Sequence, residues 1–543
     1  MRARPKLVFS LCLCSALLAA CSLGGIGGGP ADRGGGSIVV GLSQIGSLDP
    51  PRASGSPALT ILRTACDGLV GLDPDTGAPK PALAASWSVE EGARKLTMSL
   101  RPRMSFHDGT PVNAAAVREA LSRVARPAIS SPWSNLVSKI EGFTEVQTGN
   151  ATHLSGVRAV EERSLEIRLS EPYSDFPTVL AHPALVPLSL ESLSEEPEGP
   201  STPVCAGPYR VEAGLEEGDL RLARSTESVS RNEAYLSSGR GLAERILIRT
   251  FESPEDAYQA YKSGQVDMAP VPDSRLAEAQ VSNAGYTSGA TPQITFLAFD
   301  PANPATADPR FRQSVSLAID RLVIIDAAYG DQRRPATRWL PGDYGSGVQS
   351  TCDAVARRIA DPKRATQLLK ASGVQASSLK LPLIYDSATT GRLVAEALEL
   401  QVKDGLGVAL DPQPLAGEDI VSSFKARDSA PAVWIMATNI ELPLPDQFLA
   451  DLFRTGSDKN VLGFSDRTFD SRIDSARAAT AKEDVERSYV LAENALCNQM
   501  PAIPLWTSVS HWMINPDKVR FEGDASLDSL GGPVLRHARA AGE

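Results

Sequence analysis

The sequence predicts an α/β protein with helices layered on sheets. Three observations carry that expectation. Short apolar or alternating runs recur between segments of helical spacing. Four helical segments open on a side chain able to cap followed by proline, at Thr110-Pro111, Ser253-Pro254, Asp308-Pro309 and Asp361-Pro362, which marks a helix N-terminus. The composition, 42% hydrophobic and 22% charged over 543 residues, is that of a globular chain, long enough for roughly three or four domains.

Taken in order, residues 37–42 (SIVVGL) read as a short buried strand, and 47–51 (SLDPP) force a turn. Residues 58–69 are helical in pattern, and 71–81 (GLDPDTGAPKP) are turn chemistry. Residues 96–100 and 165–169 alternate as strands do. The helix opened by Thr110-Pro111 places Val117, Leu121 and Val124 on one face, and the one opened by Ser253-Pro254 stops at Gly264. The helix from Asp308 carries Phe311, Val315, Ile319 and Leu322 as a single stripe, and the one from Asp361 runs to Gly373. Strands at 379–385 and 432–437 lie between or beyond these helices. Such alternation argues for α/β layers rather than a bundle or a β-sandwich.

The chain begins with an address. Arg2, Arg4 and Lys6 precede an apolar run from Leu7 to Ala19 that is too short to span a bilayer comfortably and has the form of a secretory signal peptide. It ends in Leu18-Ala19-Ala20-Cys21, which resembles the bacterial lipobox, where cleavage precedes a cysteine that carries lipid. An ordinary signal peptide that happens to contain a cysteine is the plainer reading. The following residues, 22–37, are glycine-rich and read as a flexible tether. Acyl chains on Cys21 would moor the protein to a membrane surface.

Composition excludes several functions. A net charge of −11 disfavours sequence-independent nucleic-acid binding, which needs lysine and arginine to neutralise phosphate. The five histidines, His107, His153, His182, His511 and His537, form no local metal motif, so no metal and no cofactor is implied. Of the seven cysteines, Cys12 and Cys14 leave with the signal and Cys21 would be acylated. Cys66, Cys205, Cys352 and Cys497 remain, either as two disulfides in an oxidising compartment, with three possible connectivities, or as four buried thiols. No GxSxG elbow, Walker A loop or GxGxxG turn is present. Ser422 and Lys425 have SxxK spacing but lack the partner motifs of a penicillin-binding site, and His107-Asp108-Gly109 reads as a turn before it reads as a dyad. No catalytic residue is assigned, although dispersed hydrolase residues stay compatible with the sequence.

A series of short words then falls in a fixed order. They are Leu48-Asp49-Pro50, Asp67-Gly68-Leu69-Val70, and Pro81-Ala82-Leu83-Ala84 with Ser86-Trp87. Next comes the longest, residues 100–111 (LRPRMSFHDGTP), followed by Gly207-Pro208-Tyr209, Arg231-Asn232 with Tyr235, and Ser263-Gly264-Gln265-Val266-Asp267. Asp308-Pro309-Arg310-Phe311-Arg312-Gln313, Ala318-Ile319-Asp320-Arg321 and Ile503-Pro504-Leu505 complete it. Each word is weak and the ordered set is specific. Over residues 38–520 the chain resembles the peptide/nickel/opine class of ABC-importer receptors, the bacterial extracellular solute-binding proteins of family 5.

The resemblance implies a periplasmic-binding-protein-like two-lobe fold (type II, cluster C) with an extra inserted domain. Lobe I would comprise 38–55, 205–290 and 505–543, the inserted domain 56–204, and lobe II 291–504, with the chain crossing near 291–300 and 501–506. That organisation favours pairing Cys66 with Cys205 and Cys352 with Cys497. It makes His107 structural.

The implied function is capture of a solute by lobe closure and delivery to a permease driven by ATPase subunits. The protein would be a monomer at the outer face of the cell membrane or in the periplasmic space. In peptide-binding members an aspartate of the second lobe meets the ligand's α-ammonium. The matching stretch places Glu441 there, with Thr438 and Asn439 beside it. Thr438 and Leu442 stand where the family carries tryptophan and tyrosine, which unsettles a standard peptide site, and Glu441 reads equally well as a solvated loop carboxylate. Ser43 and Gln44, after the first strand, are further contacts, whereas Trp434 and Met436 read as core. An oligopeptide or peptide-like cationic compound leads; a metallophore complex or haem stays open. A member repurposed for signalling, or as a hydrolase in a biosynthetic pathway, is the alternative. If Cys21 is the lipidation site, globomycin leaves an uncleaved precursor in the producing cell, and normal maturation of Cys21→Ala would refute the anchor.

Overall fold

The computed structural model describes residues 36–543 apart from 75, 196–201, 213–218, 226–242, 283, 301, 331, 341–343, 345–347, 388–389, 427–432, 441, 523–525 and 542–543. The leader, Cys21, nearly all of the glycine-rich segment, the Arg231–Tyr235 word and Glu441 therefore lie outside the described residues.

Strand β1 (Ser37–Ser43) is buried from Ile38 to Leu42, as its unbroken apolar run requires of a strand covered on both faces. Helix α1 (Gly55–Ala65) stops short of the expected Leu69, because Cys66 turns extended and bonds Cys205. Strands β2 (Ala84–Glu90) and β3 (Lys95–Leu100) follow, then α2 (Ala114–Ala125). Thr110 is not the cap of α2: Asn113 accepts from the Ala116 N–H, while Thr110 donates to the Asp108 carboxylate in a turn closed by Gly109 at φ +87°. Pro111 instead pairs with Ser105. Strands β4 (Val157–Glu161) and β5 (Ser164–Arg168) complete an antiparallel four-stranded sheet, ordered β2-β3-β5-β4.

Next come β6 (Tyr209–Glu212), β7 (Leu220–Arg224), β8 (Arg245–Phe251), α3 (Pro254–Lys262), β9 (Met268–Pro270) and the long β10 (Tyr286–Phe299). Ser253 caps α3 as its sequence implies, accepting from the Asp256 N–H. The helix expected from Asp308 is two helices, α4 (Pro309–Ala318) and α5 (Arg321–Tyr329). Ile319 is extended between them and Asp320 caps the second, so Leu322 leaves the expected stripe for the surface. Beyond lie α6 (Pro362–Ser372), β11 (Lys380–Asp386), α7 (Gly391–Leu406), β12 (Ala409–Leu415), β13 (Val433–Asn439), α8 (Pro445–Phe453), α9 (Arg467–Ala478), α10 (Lys482–Gln499) and β14 (Ala502–Ile514).

One sheet runs through the molecule in the order β12-β11-β13-β10-β14-β9-β1-β8-β7-β6, with Arg334–Pro335 beside β14. Helices and this sheet enclose two cores. One gathers Ile38, Ile61, Tyr209, Ile246, Met268 and Trp512, and the other Phe296, Phe311, Trp339, Leu383, Trp434 and Trp506. The four-stranded sheet and α2 enclose a third, with Leu96, Phe106, Val117, Ile167 and Phe176. The mixed α/β, two-lobed architecture with an inserted domain is thus present.

The disulfides are Cys66–Cys205 and Cys352–Cys497, with Cα atoms 5.5 and 5.2 Å apart. Each closes a loop of well over a hundred residues, a constraint of about 5 kcal/mol on the unfolded chain in the chain-entropy account.

Several of the ordered words are internal wiring. Asp49 and Arg123 form a buried fork at 2.9 and 3.0 Å. His107 faces the Gly207 carbonyl at 3.1 Å, and a Cβ on Gly207 would stand 2.1 Å from the Ala65 oxygen. Arg312 donates to the carbonyls of Met500 and Gln499. Arg321, fully buried, donates to the carbonyls of Pro504 and Arg357 and to the Ser316 hydroxyl. Burial lowers its pKa to about 9, so it stays charged at neutral pH. Arg321→Met would strand those acceptors in the core; we expect a loss of about 3 kcal/mol or more, read as a lower thermal midpoint of the purified protein.

Candidate functional site

In open α/β sheets, ligands gather outside the carboxyl ends of parallel strands. In this molecule β1 is parallel to β8 and β9, and β11 is parallel to β12 and β13. The carboxyl ends of the first set are Ser43, Phe251 and Pro270, and those of the second are Asp386, Leu415 and Asn439. Ser43 is half-buried and Gln44 exposed. Thr438 is half-buried, directly opposite Ile294 of β10. Asn439 lies opposite Gln293, whose side chain accepts from Ser508. The candidate pairs Ser43-Gln44 and Thr438-Asn439 thus belong to one sheet, separated by β10, β14 and β9.

The edge of β13 is the most informative feature. It pairs with β10 along its whole length, from Val433 to Asn439. Its pairing with β11 covers Val433 and Trp434 alone, although β11 continues beside β12 to Asp386. Among the described residues, Ile435 to Asn439 therefore have a strand partner on one side. Ala437 on this stretch is exposed. Trp434 and Met436 are core residues; Trp434 meets Phe424 edge-on at 4.7 Å and donates to Ser423.

Leu442, where the family carries tyrosine, is fully buried, and with Leu444 it joins the core of the inserted domain. Its N–H donates to the Gln447 side chain at 3.0 Å. Four residues further on, Asp446 is buried and forked by Arg477, with both contacts at 2.8 Å, and accepts from the Tyr489 hydroxyl at 3.1 Å.

Sequence reasoning did not find the link between the strand ends. Asp273, just after β9, pairs with Arg333 at 3.1 Å, and Arg333 lies over the Tyr329 ring at 4.5 Å. Behind it His511 of β14 faces the Tyr286 hydroxyl at 2.6 Å. Burial and then the Arg333 charge hold His511 below the usual imidazole range. No spacing rule joins residues so far apart in the chain. His182 is also internal: it accepts from the Ala184 N–H and lies against Trp133, and burial followed by Arg63 pushes its pKa down to about 3. Ser422 and Lys425 are exposed on the helix Gly417–Ala426. Among the described residues, no cluster of three or more His, Cys, Asp or Glu could hold a metal ion, and no helix is long and apolar enough to cross a membrane.

Residues 78–460 match the model of the bacterial extracellular solute-binding proteins, family 5 (middle region). The chain belongs to this family. Curated relatives include the probable deoxycholate-binding periplasmic protein YgiS of Escherichia coli K12, 24% identical with 86% of each chain covered. The periplasmic oligopeptide-binding protein OppA of the same strain is 25% identical, with 90% of each chain covered. Among solved structures, the unliganded open form of the periplasmic murein tripeptide binding protein MppA superposes with a TM-score of 0.80 at 21% identity, over 93% of this chain and 97% of that one. At that identity the structural match establishes the fold. As a family 5 protein the chain is a solute-binding component of an ABC importer, and its relatives bind substrates rather than convert them.

The His511 environment makes a prediction. A neutral buried imidazole is disfavoured as pH falls, because the unfolded chain takes up the proton first. NMR titration should place the His511 midpoint below that of free imidazole. Arg333→Gln, which removes a repelling cation, should move that midpoint upward.

Proposed function

We propose that this family 5 protein is the extracytoplasmic receptor of its importer for an extended peptide or peptide-like cationic compound. The observation that carries the reading is the one-sided pairing of β13 from Ile435 to Asn439. An open strand edge offers backbone donors and acceptors in alternation, and an extended peptide is the ligand whose own backbone answers them. Oligopeptide binding by the relative OppA agrees with that chemistry.

Thr438, Asn439 and Glu441 then form the second-lobe wall, and Ser43 and Gln44 the first. Glu441 supplies the carboxylate for the ligand's cation. The lobes, with the boundaries expected above, would approach about the two strand crossings. A ligand touching both walls favours the closed arrangement by as much as it binds that arrangement better. A lipidated Cys21 would hold this receptor at the outer face of the membrane or in the periplasm, beside its permease and ATPase.

Calorimetry with a peptide library tests the reading. N-methylating the ligand amides that pair with β13 should weaken binding about tenfold each, the worth of one hydrogen bond. Glu441→Gln should weaken peptides with a free α-ammonium tenfold or more and leave N-acetylated ones unchanged. Indifference to N-methylation throughout would remove the strand-pairing mode, and equal affinities for wild type and Glu441→Gln would remove Glu441.

A further inference from the structure

The inserted domain meets the second lobe at residues 173–176. The Ser174 N–H donates to the Arg477 carbonyl at 2.9 Å, and its hydroxyl to the Ala476 carbonyl at 3.0 Å. Beside these bonds the Asp175 oxygen Oδ2 is buried without a hydrogen-bond partner. From the second lobe it is faced by Asp446 of α8, Arg477 of α9 and Tyr489 of α10. Tyr344, near Glu486, approaches from the loop after Pro335.

The charges here do not cancel if Asp175 is ionised. Arg477 is forked onto Asp446, and the Tyr489 hydroxyl hydrogen is given to Asp446 as well. On the inserted-domain side, Lys139 is bonded to Glu171, which is also 3.7 Å from Arg477. Tyr173 lies under Arg477 at 5.7 Å, with Asp451 near it. The cation that reaches Asp175, Arg477, is already forked onto Asp446. A protonated Asp175 adds no charge and can give its hydrogen to an acceptor such as the Tyr489 oxygen. An ionised Asp175 places a second buried carboxylate against Asp446. A cavity of about 380 Å³ lined by Lys139, Glu171, Tyr173, Asp446 and Arg477 adjoins the contact.

We propose that Asp175 is a proton-operated latch: protonated, it holds the inserted domain against the second lobe, and ionised, it repels Asp446 and loosens that contact. Burial, and then the Asp446 charge, push the Asp175 carboxyl up to about 7, so the switch lies in the neutral range. The sign follows from linkage. The closed contact keeps its proton to a higher pH than the open one, so the contact is firm in acid and weakens as pH rises, levelling off above the closed-state value.

Hydrogen exchange on the intact mature protein, without ligand, tests the latch. Between pH 4.5 and 8.5, after correction for intrinsic rates, the opening equilibrium reported by the Ser174 amide should rise up to tenfold per pH unit and flatten above about 7. Asp175→Asn, permanently neutral, should give a flat profile. A flat wild-type profile, or the same slope in Asp175→Asn, overturns the proposal. Carbon-13 titration of the wild-type aspartates decides the matter independently of how the variant folds: an Asp175 midpoint near 7 supports the latch, and one near 4 overturns it.

Discussion

Strands β10 and β14 pair antiparallel in two stretches, Tyr286 to Ala290 and Ile294 to Ala298, with the register slipping between Ala290 and Ile294 and again between Thr295 and Phe296. Everything else about the two lobes depends on this ladder. On one side of the slip β14 continues onto β9, and on the other β10 continues onto β13. A hydrogen-bonded ladder resists sliding, because each step would cost a full set of bonds. It bends where extra residues interrupt it. At the interruption the ladder is bridged by side chains, Ser508 to Gln293, which can reorient without breaking a backbone pair. The sheet is thereby hydrogen-bonded from one end to the other, with a register irregularity between β10 and β14.

The inserted domain is bonded to both sides of the large sheet's surroundings. It is tied to the first lobe by Cys66–Cys205, by Arg536 on Asp67 and by the Asp49–Arg123 fork. It is tied to the second lobe by Leu442 and Leu444 in its core and by Ser174 on α9. The first of these attachments, Leu442 and Leu444, lies in the segment that leaves β13, where ligand is proposed to bind. If the second lobe moves as proposed, it would either carry the inserted domain with it or break the Ser174 bonds to Ala476 and Arg477.

Much of the fold was legible, for a physical reason. Asp361 and Ser253 cap helices at the expected positions because a capping side chain followed by proline is a local signal. Val433 to Asn439 is a strand because its residues are apolar or β-branched wherever it is buried. The failures are equally local in cause. Thr110-Pro111 looks like a helix start, yet Asp108 takes the threonine for a turn and Asn113 does the capping. Ile319 has the spacing of a helix stripe, but Arg321 is pulled away to satisfy carbonyls from distant segments. The Asp273–Arg333 and Asp175–Asp446 meetings, between partners 60 and 271 positions apart in the chain, are set by tertiary packing that no periodicity encodes.

The words that announce the family and the residues that choose a ligand do different work. Asp49, His107, Gly207, Arg312 and Arg321 are spent on buried bonds to other parts of the fold. Replacing any of them strands a partner in a low-dielectric interior, so they report architecture and are silent about solute. The positions that depart from the family pattern lie on or just beyond the open edge of β13. Thr438 stands there half-buried where a tryptophan would project, and Leu442 turns into the inserted domain where a tyrosine hydroxyl would be available. Both exchanges remove aromatic surface from the neighbourhood of the strand edge while leaving its backbone groups untouched. Under the proposed peptide reading, a site altered in that way would keep its grip on a main chain and lose stacking contacts to particular side chains, favouring selection by backbone and charge over selection by side-chain identity.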